Sequence, residues 1–204
     1  MAYLHRIDSL ENMKRFFVFI VLAVLLSGCS GVRYLEVAPE VKDFHPKTIG
    51  VLPVDVGAYS DAKGVIDRIV AEVLVDKGWF TSVVSGEAIH KQFSVSEENK
   101  RIILDYISKL KNVSYSDPNL SKKIGELLKI DALLVVNVEY WNYTTMEDDK
   151  VAKVEAEVAM VNTSTGQILW TAHHYEAEKY TFFKPQLSDV ARSLIKKMVG
   201  EMPH

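Results

Sequence analysis

Apolar positions are spaced in four different ways along this chain, and each spacing predicts a different element. Between Phe16 and Leu26 the run is unbroken, behind Met13-Lys14-Arg15 and ahead of Leu26-Ser27-Gly28-Cys29. A basic start, an apolar core too short to span a bilayer and small residues at its end make a secretory signal over 1–28. Residues 30–47 lack periodicity and hold Pro39 and Pro46, which predicts a tether over 29–47. Fully extended, about 18 residues reach roughly 60 Å.

Helical spacing begins further on. Ile66, Ile69, Val70, Val73 and Leu74 share one helix face, with Gly78 as its stop. A brief helix is predicted over residues 86–93. Ser96 caps a longer one whose stripe is Ile102, Ile103, Tyr106, Ile107 and Leu110. Asp117-Pro118 combines an N-cap acid with a proline at the first helical position and opens a helix carrying Leu120, Ile124, Leu127 and Leu128. Leu187, Val190, Ala191, Leu194, Ile195 and Met198 close the chain with another amphipathic helix.

Strand spacing fills the rest. Thr48 to Val54 is a short apolar run with Pro53 near its end, where the missing N–H does least harm. Residues 80–84 make a second short strand. Ala132-Leu133-Leu134-Val135-Val136 is apolar on both faces, as a central strand requires. From Val151 to Val161 the pattern alternates, with Ala152, Val154, Ala156, Val158 and Met160 on one face and Lys153, Glu155 and Glu157 on the other. Glu147-Asp148-Asp149 turns into that strand, and the stretch from Asn162 to Gly166 turns out of it toward a last strand over 167–179. The order strand–helix–strand–helices–antiparallel meander–helix predicts one α/β domain over 48–204 on a mixed sheet of about five strands.

Composition agrees with that picture and narrows it. The chain is 48% hydrophobic and 25% charged, which suits a globular domain, and the roughly 175 residues past the signal can bury one core. The formal charge is −3, so the basic footprint of a nucleic-acid binder is missing. The single cysteine, Cys29, leaves no disulfide to rely on.

Leu26-Ser27-Gly28-Cys29 resembles a bacterial lipobox, which implies cleavage between Gly28 and Cys29 and acylation of Cys29 with palmitate-type chains. Three chains on one residue hold a protein at a membrane where a single one does not. Ser30, a residue other than Asp after the lipidated position, resembles an outer-membrane address. Asp8 and Glu11 ahead of the basic pair suit no signal, so Met13 is the expected true start.

Further resemblance lies in His45 to Pro53, in Asp131-Ala132-Leu133-Leu134 and in Thr165-Gly166-Gln167-Ile168-Leu169-Trp170. In this order and spacing they resemble envelope lipoproteins with a domain like the amino-terminal domain of TolB. The likeness is nearest to the conserved neisserial-type lipoproteins, with relatives among curli-secretion, penicillin-binding-protein-activator and Pel-export lipoproteins. It covers about residues 46–200 and implies a fold and a place in the cell more than a task.

Catalytic patterns are sparse. Ser-x-x-Lys occurs at Ser60, Ser108 and Ser193, but the elements that accompany it in serine acyltransferases are missing. His173 and His174 are strand neighbours and point to opposite faces, so they cannot share an ion. His174 and Glu176 share a face and form a weak metal candidate, with a solvated strand face as the simpler reading. Aromatic residues at element ends are the better clue. Trp141 and Tyr143 near the hairpin, and above all Phe182 and Phe183 ahead of Pro185, are candidate anchors for a partner or a membrane interface.

The expectation is therefore a non-enzymatic lipoprotein without a cofactor, held at the outer membrane by acyl chains with its domain facing the periplasm. It would bind or assemble partners in envelope biogenesis or export, with a homo-oligomer among the arrangements. The alternative is an activator that docks on a peptidoglycan synthase, which the short tether disfavours. Third comes a weak metal-binding or hydrolytic protein.

Overall fold

The computed structural model describes residues 33–113 and 116–204. The signal, Gly28 and Cys29 lie outside the described residues. Six strands form one sheet: β1 (Tyr34–Val37), β2 (Thr48–Val51), β3 (Ser82–Val84), β4 (Ala132–Met146), β5 (Asp149–Asn162) and β6 (Ile168–Lys179). Their spatial order is β1-β6-β5-β4-β2-β3, with β2 parallel to both β3 and β4 and the other neighbours antiparallel. The helices are α1 (Val65–Lys77), α2 (Gly86–Phe93), α3 (Glu97–Val113), α4 (Pro118–Leu128) and α5 (Leu187–Gly200). No described helix is long and apolar enough to cross a membrane.

The two faces of the sheet are covered unequally. Ala152, Val154, Ala156, Val158 and Met160 of β5 are all buried, together with Leu134, Val136, Val138 and Trp141 of β4, beneath the apolar stripes of α1 and α5. The expected α1 stripe of Ile66, Ile69, Val70, Val73 and Leu74 is wholly buried. On the opposite face α2, α3 and α4 enclose a second core of Leu52, Ile89, Phe93, Ile103, Tyr106, Ile124, Leu133 and Val161. Leu133 and Val161 lie at one end of the β4–β5 pair, and further along that face the strands carry Asn137, Glu139, Glu155 and Glu157.

Helix starts follow the local chemistry. Asp117 caps α4 by accepting from the backbone N–H groups of Asn119 and Leu120, and Lys109 beside it holds its carboxyl below the ordinary pKa. Gly78 ends α1 at φ 67°, a left-handed cap. Gly166 sits at φ 70°, and a Cβ there would come within 2.5 Å of Pro118 Cα, so the β5–β6 turn presses directly on the start of α4.

The tether expectation is corrected in part. Residues 34–37 are the edge strand β1, with Tyr34 opposite His173 and Val37 opposite Trp170. A 3-10 turn over Pro39–Asp43 then buries Val41. The sixth strand of the sheet thus comes from a segment expected to be free. Its four residues are all exposed, so burial leaves no apolar signature for periodicity to register.

Asp131 ties the strand ends together. Its Oδ2 accepts from the backbone N–H of Lys47 at 2.8 Å and from the N–H and hydroxyl of Thr48, both at 3.0 Å. Its own carbonyl accepts from the N–H of Thr163 at 3.0 Å and from the Thr163 hydroxyl at 2.9 Å. Asp131→Ala should lower unfolding stability by about 2 kcal/mol in urea titration, because several charge-assisted bonds go at once while the backbone donors remain. Asp131→Asn, which keeps one acceptor, should fall between.

Candidate functional site

On the less covered face of the sheet, one bulge changes which side chains meet. β4 and β5 pair regularly until Val138 opposite Ala156, and the next pair is Tyr140 opposite Glu155. Glu139 is the extra residue. A bulge places two residues against one and re-aims side chains, and here the Glu139 Oε2 reaches His173 Nε2 of β6 at 2.8 Å. Glu155 Oε1 lies 3.3 Å from the same nitrogen. The other Glu155 oxygen accepts from Lys153 Nζ at 2.6 Å, and that ammonium sits 4.9 Å from the ring centres of both Tyr140 and Tyr175. Glu157 stands beside the group, opposite His173 in register. Partial burial, and then the negative charge of Glu139, hold its proton more tightly than usual, while His173 works the other way.

Beside the cluster, a cleft of about 330 Å³ opens between the sheet and α3. Leu52, Ile107 and Leu110 form apolar walls, and Asp55, Glu139 and Glu157 bring carboxylates to it. A small cleft with apolar walls and convergent polar groups is where binding is sought first.

The aromatic candidates separate. Phe182 and Phe183 are each 91% exposed. The loop that carries them is pinned at its foot: Tyr180 N–H donates to Lys150 carbonyl at 3.0 Å, and Tyr143 hydroxyl donates to Pro185 carbonyl at 2.9 Å. Tyr143 meets Tyr180 edge-on at 5.8 Å, and Lys184 Nζ lies 4.6 Å from the Tyr143 ring centre. Tyr143 is therefore a support of the loop. Trp141 is 7% exposed and belongs to the core, which corrects its reading as an anchor: the bulge returns it to the face covered by the helices, opposite Val154.

The metal candidate at His174 and Glu176 is corrected too. His174 Nε2 is 3.6 Å from Glu176 Oε1, but Lys197 of α5 bonds that same oxygen and approaches the ring at 3.4 Å. A lysine ammonium already fills the gap a cation would take, and the face is partly covered rather than solvated. The cluster around His173 escaped sequence reading because its members come from three strands whose mutual register no local pattern gives. Val138-Glu139-Tyr140 breaks the apolar alternation of β4, and that break was the one visible signal.

Comparison with known proteins adds an anchor and a fold. The model for the prokaryotic membrane lipoprotein lipid attachment site matches residues 13–30. No curated protein sequence matches the chain. Among solved structures, the PelC dodecamer from Paraburkholderia phytofirmans overlays with a TM-score of 0.55 at 16% identity, over 84% of this chain and 98% of that one. The hypothetical protein CT253 from Chlamydia trachomatis gives 0.52 at 7% identity, over 75% and 93%. The lipoprotein GNA1162 from Neisseria meningitidis gives 0.48 at 16% identity, over 77% and 100%. The chain thus carries a prokaryotic lipoprotein lipid attachment motif, and its described residues have a mixed α/β fold similar to that of PelC.

Partial burial and the nearby Lys197 charge both depress the pKa of His174, and Glu176 opposes them. A ring whose folded pKa is depressed takes up its proton first in the unfolded chain, so stability falls as pH drops below about 6.5. His174→Asn should therefore lose less melting temperature between pH 7.5 and 5.5 than the parent. Thermal melts at both pH values check it.

Proposed function

We propose that this chain is a non-enzymatic lipoprotein of the outer membrane that assembles with itself and with export or envelope-biogenesis machinery, its domain facing the periplasm. The observation that carries this reading is the PelC-type fold behind a lipid attachment motif, since the PelC neighbour is a dodecamer. Ser30 after the lipidated position supports the outer-membrane address. Acylation at Cys29 follows from the motif.

Chain direction supports a membrane role for the exposed phenylalanines. β1 runs antiparallel to β6 with Tyr34 opposite His173, so Arg33 lies on the side of Tyr34 that leads along β6 toward Tyr180 and the loop. Arg33 N–H already bonds His174 Nδ1 at 3.1 Å. Around the loop Lys150, Lys179 and Lys184 are exposed as well. Aromatic rings with flanking lysines suit the boundary between headgroups and acyl chains. The loop would dip into the leaflet and set the orientation of the domain.

Two measurements test this reading. Cys29→Ser should leave the protein unprocessed or soluble; acyl labelling that survives the change would overturn lipidation at this residue. For assembly, the detergent-solubilised chain should show several copies per particle by native mass spectrometry, and a monomer at micromolar concentration would sink the ring.

Phe182→Ser with Phe183→Ser should alter melting by less than about 1 kcal/mol equivalent, as exposed positions allow. Vesicle binding of the non-acylated domain should weaken at least tenfold, given that exposed aromatic anchors often contribute about 2 kcal/mol. Unchanged vesicle binding with a reduced particle mass would assign the loop to a protein contact instead.

A further inference from the structure

We propose that Glu139, Glu155 and His173 form a binding site for a divalent transition-metal ion of the zinc class. The proposal stands apart from assembly and anchoring, and rests on where the bulge puts three donor atoms. They come from three adjacent strands, β4, β5 and β6, and all lie within 4.8 Å of one another. A tetrahedral site with metal–ligand bonds of about 2.0–2.2 Å sets neighbouring donors roughly 3.3 Å apart. The two separations that involve His173 Nε2, at 2.8 Å to Glu139 and 3.3 Å to Glu155, stand close to that edge length. Only the two carboxylates must draw together, and Glu139, with a side chain 39% exposed, is free to swing.

Contrast within the same sheet supports the choice. At His174 and Glu176, on the other face, Lys197 places its ammonium between ring and carboxylate. At His173 the nearest lysine, Lys153, is bound to the far oxygen of Glu155, and its ammonium steers Oε1 toward the imidazole. It acts there as an orienting partner behind a ligand, the role carboxylates and carbonyls play behind metal-bound histidines. Glu139, Glu155 and Glu157 bring three carboxylates to a group whose described cations are Lys153 and, across the Tyr175 ring, Arg33, and a dication offsets the negative charge that is left.

Ligand chemistry narrows the ion. One imidazole nitrogen with two carboxylate oxygens suits zinc, copper or nickel better than the all-oxygen shells of calcium or magnesium. Three protein ligands leave at least one position for water, as in open sites. Glu139 also lines the cleft beside α3, so that exchangeable position lies at the mouth of an apolar-walled space of about 330 Å³.

The test titrates zinc chloride into the full detergent-solubilised chain by calorimetry at pH 7.5 after chelator treatment. Saturable uptake of one ion per chain is expected. His173→Ala and Glu139→Gln should each weaken it by about tenfold or more, while His174→Ala leaves it unchanged. Thermal melts without metal, together with particle mass, confirm that these variants fold and assemble like the parent. A zinc-dependent shift of the His173 ring signals in NMR gives a second readout on the unaltered protein. No saturable uptake by the parent at about 100 µM zinc would overturn the site. So would an affinity that survives both ligand variants, or one that His174→Ala removes.

Discussion

A single carboxylate, that of Asp131, holds together the place where the two halves of this sheet meet. The parallel pair β2–β4 sets Ile49 opposite Ala132, 83 residues on in the chain, and such a pairing must meet its loop-closure entropy before any contact compensates it. Asp131 answers that constraint at the first residue before β4, by accepting from the backbone of Lys47 and Thr48 at the start of β2. Its carbonyl then accepts from Thr163 at the exit of β5. Thr163 in turn stands against Gly125 of α4, where a Cβ would come within 2.6 Å of its own Cβ. From there Gly166 presses on Pro118. One polar knot therefore sets the register of β2, β4 and β5 and the seat of α4, and the motifs that resemble envelope lipoproteins are largely its parts.

That knot explains why so much of the fold was legible. Helix stripes such as Ile66 to Leu74 obey a 3.6-residue period, and β5 obeys a two-residue period from Ala152 to Met160, because each there buries one face against a single layer. Asp117-Pro118 and Gly78 announce ends through local chemistry alone. β1 was not legible for the opposite reason. Its stability comes from backbone pairing to β6 at an exposed edge, and the side chains of Tyr34 to Val37 all stay in solvent. Backbone hydrogen bonds are indifferent to side-chain type, so they leave no trace in an apolar pattern.

The candidate site was hidden by geometry of another kind. Alternation puts Glu139 on the face of Asn137, and Glu155 on the face of Glu157, but which side chain of β6 stands beside them depends on the pairing of three strands. The bulge breaks that alternation, sends Glu139 and Tyr140 to the same side and returns Trp141 to the core. That one residue of register puts Trp141 opposite Val154 in the core. The aromatic pair at 182–183 escaped this trouble because it lies beyond the last paired residue, where exposure depends on a loop rather than on a period.

Unequal cover of the sheet gives the molecule a direction. α1 and α5 seal one face along its length, while α2, α3 and α4 close only one end of the other. The polar end of that second face and the phenylalanine loop lie toward the end of the sheet remote from the Asp131 knot. A knot at one end and a pinned loop at the other separate the two jobs that an anchored domain would have, keeping shape and keeping orientation. Under the proposed membrane reading, each copy loses most of its rotational freedom before it meets another. Confinement to a surface then raises effective concentration, as a short linker does between two binding modules. Contacts between copies then need only be weak.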